Sequence, residues 1–446
     1  MRDIAIYAVI FSLLPICLVR PYVGVLAWAW IGYMNPHKLT WGAAYNFPFA
    51  QLVALATIAG IAFLYFRPGP RPKMLWERET ILLILLWIMF TITTFFALIP
   101  DDAWQEWEKI TKILLMTFLT IALVDSKKKL RYLLMVIALS IGYYGFKGGI
   151  FSILTGGQYR IWGPQGSFIE DNNAIGLALN MSLPLLYYLA QGESNKYLKR
   201  FLQLTFFLSI LSVMFTYSRG AFLGLVVVFT MMFLSMKFRN KVAIVLLLVF
   251  MFPIAINNVP DKWMNRMDTL NEYQEDGSAM GRIQAWTTAW EVAKARPFTG
   301  GGFQIIDDLP LMQLYNPDAN SSGLGVHSVY FEVLSENGFI TFIIFMALLF
   351  SAIGSTRKVR RICKNTENED LIAYSYMLET SLWAYAASGA FLELASFDMF
   401  YHIIAMIIIL KAIARKAIAD PEKDTHGHSD SPTRTHNPPI NRPSIS

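Results

Sequence analysis

Charge is scarce in this sequence. Only 16% of its 446 residues are Asp, Glu, Lys or Arg, where soluble domains carry roughly 25%, and this excludes an ordinary water-soluble enzyme. Cysteine is nearly absent: Cys17 falls in an apolar segment and Cys363 in a basic loop, so neither a disulfide framework nor a thiolate metal cluster can be assembled, and redox chemistry has no carrier. Also missing are a phosphate-binding P-loop, a dinucleotide fingerprint and a His-Glu-x-x-His pair. Asp101-Asp102 and Asp307-Asp308 are isolated acidic pairs of the kind usual in turns, so no metal and no cofactor are expected. The net charge of +6 does not imply a nucleic-acid partner either, because the basic residues stand in short clusters between apolar runs.

Apolar sequence is what abounds, with 55% hydrophobic and 14% aromatic residues and a mean hydropathy of +0.42. Runs of roughly 17–25 residues, enough to cross about 30 Å of hydrocarbon, recur as far as residue 416. The fold class is therefore all-α, a polytopic protein of the lipid bilayer. Lys/Arg-rich segments mark the cytoplasmic side, and here they are Arg67 to Arg78, Lys127 to Arg131, Lys196 to Arg200, Lys237 to Lys241, Arg357 to Lys364 and Lys411 to Lys416. Neighbouring clusters enclose pairs of spans, predicted near 79–99, 108–124, 130–153, 172–190, 201–218, 220–236, 241–256, 327–353, 372–393 and 397–415.

Ahead of these lie a span at 48–66 and an apolar run at 4–34 interrupted by Arg20-Pro21. Read as one broken crossing, that run gives about twelve transmembrane helices with both ends in the cytoplasm; read as two, it puts the N-terminus outside. It shows no cleavage site and reads as an uncleaved span. The exterior parts are 35–47, 100–107, 154–171, the tip at 218–220, 257–326 and 394–396. Only 257–326 is large, and connections beyond roughly 12–15 residues are usually functional or disordered. From about residue 420 the chain is rich in Pro, Ser, Thr, Asn and His, a disordered composition, in which His426, His428 and His436 read as solvated. The resulting organisation is an N-terminal transmembrane region 1–126, a transmembrane core 127–416 that includes the loop 257–326, and a cytoplasmic tail 417–446.

The exterior segments hold the candidate chemistry. His327 stands where the long loop meets an apolar helix, a titratable imidazole at a water–lipid boundary; it is either an interfacial residue or a general base. On the helix that follows, Leu334, Gly338 and Thr341 return near its azimuth, with Gly338 allowing close helix approach. Glu332 and Glu336 share another face, as structural carboxylates or as part of a proton path. Gly281 to Ala293 reads as an amphipathic helix with Ile283, Trp286, Trp290 and Ala293 on one stripe, followed by Pro297 and a flexible Gly300-Gly301-Gly302 turn. Arg282 falls in the first turn of that helix, where the dipole disfavours a cation and a bound phosphate would resolve the conflict; the alternative is a solvated loop arginine. Arg219, between two spans at the end far from their basic flanks, runs against the positive-inside bias and either snorkels or meets a pyrophosphate. Arg160 is a third outward cation, for which solvation is the simpler reading.

The run His327-Ser328, Gly338 and Thr341 resembles the signature of the O-antigen ligase and polymerase superfamily: His, then Asn, Ser or Gln, nine variable residues, Gly, two more, and Gly, Thr or Tyr. Gly281-Arg282 to Trp286 with Pro297 and Gly300 to Phe303 is similar to the loop pattern of that superfamily, as is Thr216 to Ala221 around Arg219. Arg160 to Asn173 resembles its Arg-Gly-Asn segment, with Asn172 or Asn173 opening a span. The N-terminal part, including Trp28 to His37, resembles a narrower branch, O-glycosylation ligases associated with the exosortase A system. The resemblance implies a metal-independent glycosyltransferase of the bacterial inner membrane. Such an enzyme moves a glycan from undecaprenyl diphosphate to an acceptor hydroxyl, on a lipid A core sugar or an exported protein, at the periplasmic face. Carried over to this chain it implies His327 as base, Arg219 and Arg282 on the diphosphate, and Arg160, Asn172, Asn173, Ser328 and Trp286 as substrate contacts. A polymerase joining repeat units is the nearest alternative. A transporter or flippase is a further one, with Lys147, Glu332, Glu336, Glu393, Asp398 and His402 as path residues.

Overall fold

The computed structural model describes residues 2–66, 68, 71–236, 277–320, 325–366 and 368–419, and among them all regular structure is helical. The N-terminal helices are α1 (Arg2–Val19), α2 (Pro21–Met34), α3 (Phe49–Tyr65), α4 (Arg78–Phe95) and α5 (Pro100–Leu123). The middle of the chain forms α6 (Lys127–Leu154), α7 (Asn172–Gln191), α8 (Lys196–Met214) and α9 (Arg219–Ser235). After these come α10 (Gly277–Ala295), the short α11 (Leu309–Tyr315), α12 (Val329–Cys363), α13 (Glu369–Ser388) and α14 (Asp398–Ala419). Six of them, α1, α4, α6, α7, α8 and α12, are long and apolar enough to cross a membrane, and α3 and α9 are shorter apolar helices. The expected span 241–256 and the tail beyond Ala419 lie outside the described residues.

The run 4–34 is not one broken crossing. Arg20 leaves helical geometry at φ −132° and Pro21 starts α2 as its first residue, a position where the missing N–H costs nothing. The chain then doubles back: Gly60 of α3 lies against the carbonyls of Cys17 and Leu18 at the bottom of α1. At the other end of α1, Arg2 donates to the Leu39 carbonyl at 3.4 Å. The start of α1 and the segment 35–47 therefore share one end of the bundle.

The basic residues of the described clusters gather at the opposite end, where they meet acids. Lys127 pairs with Asp370 at 2.6 Å, Arg131 with Glu193 at 2.6 Å, and Arg357 with Glu379 at 3.0 Å. Lys411 bridges Glu77 at 2.9 Å and the fully buried Glu79 at 3.1 Å, and Glu79 also accepts hydrogen bonds from Ser351 and Ser355. A buried charge left without its partner is strongly destabilising, so this network fixes α4, α12 and α14 relative to one another. The far end carries the expected exterior segments. Tyr45 donates to the Gln165 carbonyl at 3.3 Å, Ile161 N–H to Phe215 at 2.9 Å, and Leu98 N–H to Gly301 at 2.8 Å.

Helix α12 breaks at Gly338, which has φ 76° and ψ 178°, a region open essentially to glycine alone. The break has a cause. The Pro297 to Gly302 turn inserts there: Phe339 N–H donates to the Pro297 carbonyl at 2.8 Å, Gly301 N–H to Ser335 at 2.8 Å and Gly302 N–H to Glu336 at 2.9 Å. Backbone groups that the interrupted helix would orphan are thus satisfied by the loop. Gly338 does not serve helix approach beneath the imidazole, because the azimuth counted from His327 is lost at the break. The turn at 300–302 is a packed joint, not a flexible one. A β-carbon at Gly338 would lie 2.7 Å from the Pro297 oxygen, and the backbone conformation alone costs a larger residue about 1–3 kcal/mol. Gly338→Ala is expected to lower the thermal midpoint of the purified protein by several degrees; an unchanged midpoint would show that loop and helix are not coupled there.

Candidate functional site

The end opposite the basic clusters brings most of the candidate residues together. Ser328 is the N-cap residue of α12 and is buried, so His327 is the last residue outside the helix. His327 adopts a left-handed conformation, φ 48°, which turns its backbone N–H toward Glu393; that carboxylate accepts the bond at 2.7 Å. The residue is partly exposed. Its partial desolvation and the nearby Arg282 charge pull its pKa below 6.5, against an upward pull from Asp171. The ring is therefore mostly neutral at pH 7 and able to accept a proton.

Arg282 reaches this point from α10. The helix begins at Gly277, four residues before the expected start, so Arg282 lies beyond the first turn and the helix-dipole conflict does not arise there. It arises at Arg219 instead. Ser218 caps α9, its hydroxyl accepting from Ala221 N–H at 3.1 Å, and Arg219 is the first helical residue. Both guanidinium groups are half-buried.

Aromatic packing links the two arginine-bearing segments. Gly220 packs on the Phe391 ring, Phe391 lies 6.5 Å from the Trp286 ring, and Trp286 stacks on Phe331 at 5.4 Å. Trp286 also donates its indole N–H to the Val326 carbonyl at 2.9 Å, which holds the residue just before His327. Trp286 is thus a positioning element of the loop as well as part of its wall. Asn172 is buried, and its amide donates to the Thr216 carbonyl at 2.9 Å, tying the start of α7 to the turn that carries Arg219. Asn173 is partly exposed beside it. Arg160 is exposed, 5.6 Å from the Trp162 ring, and close to Tyr217, whose pKa burial raises and the Arg160 charge opposes.

Two acidic residues enter the site that the sequence did not assign to it. Asp171 caps α7 through bonds to the N–H groups of Asn173 at 2.7 Å and Ala174 at 3.3 Å; a capping residue directly before Asn172-Asn173 was a legible signal. Glu393 had none, being 66 positions from His327. The helix expected over 372–393 ends at Ser388, so Glu393 belongs to a loop. Burial raises its pKa to about 7, against the bond from His327.

Behind it lies a small polar cavity of about 170 Å³, lined among others by Glu106, Lys109, Asp307, Glu332, Glu336 and Glu393. Glu332 accepts from Ala395 N–H at 3.0 Å and Glu336 from Gln304 N–H at 2.8 Å. These two carboxylates anchor loops. Burial and the nearby Asp102 raise the pKa of Asp307, so the two acidic pairs approach each other. Among the described residues no group of three or more His, Cys, Asp or Glu is arranged to hold a metal ion.

The stripe expected on the loop helix is displaced. Ala285, Ala289, Val292 and Ala293 are buried, whereas Ile283 and Trp290 are 43% and 44% exposed. The small residues allow α10 to approach its neighbours, and the large ones are left to wall an open apolar groove of about 540 Å³. Its lining is Ile283, Trp286 and Trp290 on one side and Phe331, Phe339 and Phe342 on the other. The groove runs along α12, and its lining residue Ile283 follows Arg282 in the chain.

Residues 204–346 match the model of a family described as O-Antigen ligase, a segment that contains Arg219, Arg282, His327 and Gly338. Residues 1–193 match a family of unknown function (DUF5935), and Arg160, Asn172 and Asn173 fall there. Comparison with curated proteins returns no match. The first match supports the O-antigen ligase superfamily.

Proposed function

We propose that this protein is a membrane glycosyltransferase that moves a glycan from a polyprenyl diphosphate, undecaprenyl diphosphate in a bacterial inner membrane, to an acceptor hydroxyl at the periplasmic face. The observation that carries the reading is the Arg282 charge acting on the His327 ring, on a helix α10 that also walls an apolar groove. A neutral imidazole can take the proton of a hydroxyl. A guanidinium beside it can receive the charge that develops on a leaving diphosphate. The groove along α12 suits an isoprenoid chain and would leave its diphosphate at Arg282.

In the proposed reaction the acceptor oxygen attacks the anomeric carbon, and a C–O bond forms as the bond to the diphosphate breaks. The electron pair leaves with the diphosphate, the hydroxyl proton passes to His327, and configuration inverts. Arg219 and Arg282 share the leaving charge. Ser328, Trp286, Asn172, Asn173 and Arg160 line or shape the approach. The likeness to exosortase-associated ligases favours an exported protein over a lipid A core sugar as acceptor.

Purified protein given a polyprenyl-diphosphate-linked glycan and an acceptor, with no ion gradient, is expected to release the carrier diphosphate and form one glycosylated product. No transfer by the intact protein with any acceptor hydroxyl would reject the reading. Product length separates the nearest alternative: a polymerase extends carrier-linked chains repeat by repeat, whereas a ligase moves a finished chain once.

A further inference from the structure

We propose that the N-terminal helices carry a second site, separate from the one around His327, that binds the phosphate of an anionic lipid through Arg2, Lys38 and Lys147. The three cations line one open pocket of about 570 Å³ together with Trp41 and Tyr143. The pocket lies at the same end of the bundle as His327, since Arg2 bonds to Leu39 and Lys38 approaches Gly166, in the loop that leads into the Asp171 cap of α7. Cations at this end run against the bias that fills the opposite end with lysine and arginine.

No carboxylate lines the pocket, and none of the three cations forms an ion pair with a described residue. Arg2 lies 4.8 Å from the Trp41 ring centroid and Lys38 4.1 Å from that of Tyr45. Ring faces hold a cation in place without neutralising it. Asp3, the nearest acid along the chain, is turned to Gly42.

Lys147 adds an independent observation. It is exposed on α6, seven residues before the helix ends at Leu154, roughly 10 Å at 1.5 Å per residue. That depth is below the mouth of the bundle, on a helix apolar enough to cross a membrane, where an unpaired ammonium facing lipid is costly. Its side chain lines the pocket together with Arg2 and Lys38. Trp41 is 88% exposed and suits the headgroup layer, where such rings concentrate. Three convergent cations, an interfacial tryptophan and an apolar flank together describe a phosphate on a lipid, from either a glycerophospholipid or a phosphorylated glycolipid. This inference does not depend on the transfer reaction.

The test is native mass spectrometry of the full-length protein in nonionic detergent. The lipids added are phosphatidylglycerol, bis-phosphorylated lipid A or phosphatidylcholine. Lys38→Ala, Lys147→Ala and their combination are compared with wild type, and Lys147→Arg serves as the conservative control. The combined variant is expected to lose about tenfold or more in apparent affinity for the anionic lipids, each cation near an anionic surface contributing several-fold, with phosphatidylcholine unaffected and Lys147→Arg near wild type. Tighter binding of lipid A assigns the site to a phosphorylated glycolipid, and tighter binding of phosphatidylglycerol to a glycerophospholipid. Anionic lipid retained equally by wild type and every alanine variant overturns the proposal; the single variants keep it decidable if the pair misfolds.

Discussion

His327→Ala is expected to slow glycan transfer about a thousandfold, the scale of a lost general base, without lowering the amount of protein in the membrane. Among the described residues the side chain makes no hydrogen bond that holds the loop: Glu393 grips the backbone N–H, and Trp286 grips the carbonyl of Val326. What alanine disturbs is the backbone, since at φ 48° it lacks the tolerance for left-handed geometry that histidine and asparagine share. His327→Asn is the cleaner variant, because asparagine tolerates left-handed geometry yet cannot serve as a base, and it should be equally inactive. The pH profile follows from the surroundings of the ring. Burial and Arg282 lower its pKa, and the working form is the neutral one. The acid limb of kcat/KM should therefore have its midpoint below 6.5, with activity rising through it to a plateau. Asp171 raises the His327 pKa, so Asp171→Asn should move the limb to still lower pH. A wild-type rate in His327→Asn would place the base elsewhere, and a limb that ignores Asp171 would mean that another group is being titrated.

Much of the helical architecture is legible in the sequence because membrane helices obey two strong local rules, apolar length and the side preference of Lys and Arg. Eight expected spans coincide with α3, α4, α6 to α9, α13 and α14 to within about five residues at either end, whereas α5 starts well before its expected span and α12 runs well past its own. The basic clusters that fall among the described residues do meet at one end. Apolar length alone does not reveal where a chain reverses, which is why the run 4–34 was open to two readings until Gly60 was found beside Cys17 and Leu18. Nor does helical periodicity survive a break. Gly338 marked a special position, but nothing within five residues of it discloses that Pro297 to Gly302 would fill the gap. At the site, His327, Arg219 and Arg282 were visible as cations or titratable groups at the wrong boundary for their charge. Glu393 was invisible as their neighbour, since its proximity depends on how α12 and α13 close. The α10 stripe was misplaced for a related reason: alanines buried by close helix packing carry no hydrophobic signal comparable to that of a tryptophan left on a groove.

Arg282→Lys and Arg219→Ala are each expected to reduce the transfer rate about a hundredfold or more, the usual cost of removing one preorganised partner of a developing anion. The two substitutions differ in what they remove. Lysine at 282 keeps the charge but offers a mobile ammonium in place of a planar fork, so it cannot hold two phosphate oxygens in one geometry. Alanine at 219 removes the cation from the first residue of α9, where the helix dipole already favours an anion. The capped helix end remains, so Arg219→Ala should weaken donor binding less than a loss of the whole helix end would. If the guanidinium groups act on the leaving diphosphate, kcat falls in both variants while KM for the lipid-linked donor changes little, because the interaction strengthens only as the bond to the sugar breaks. A rise in KM at constant kcat would assign the arginines to ground-state binding. Wild-type turnover in Arg282→Lys would reduce that residue to a neutralising charge, leaving Arg219 as the better candidate for the group that stabilises departure. The double variant adds the decisive number. Two arginines on one diphosphate should couple, so their combined loss is expected to fall short of the product of the single losses. Strictly multiplicative effects would place them on different groups.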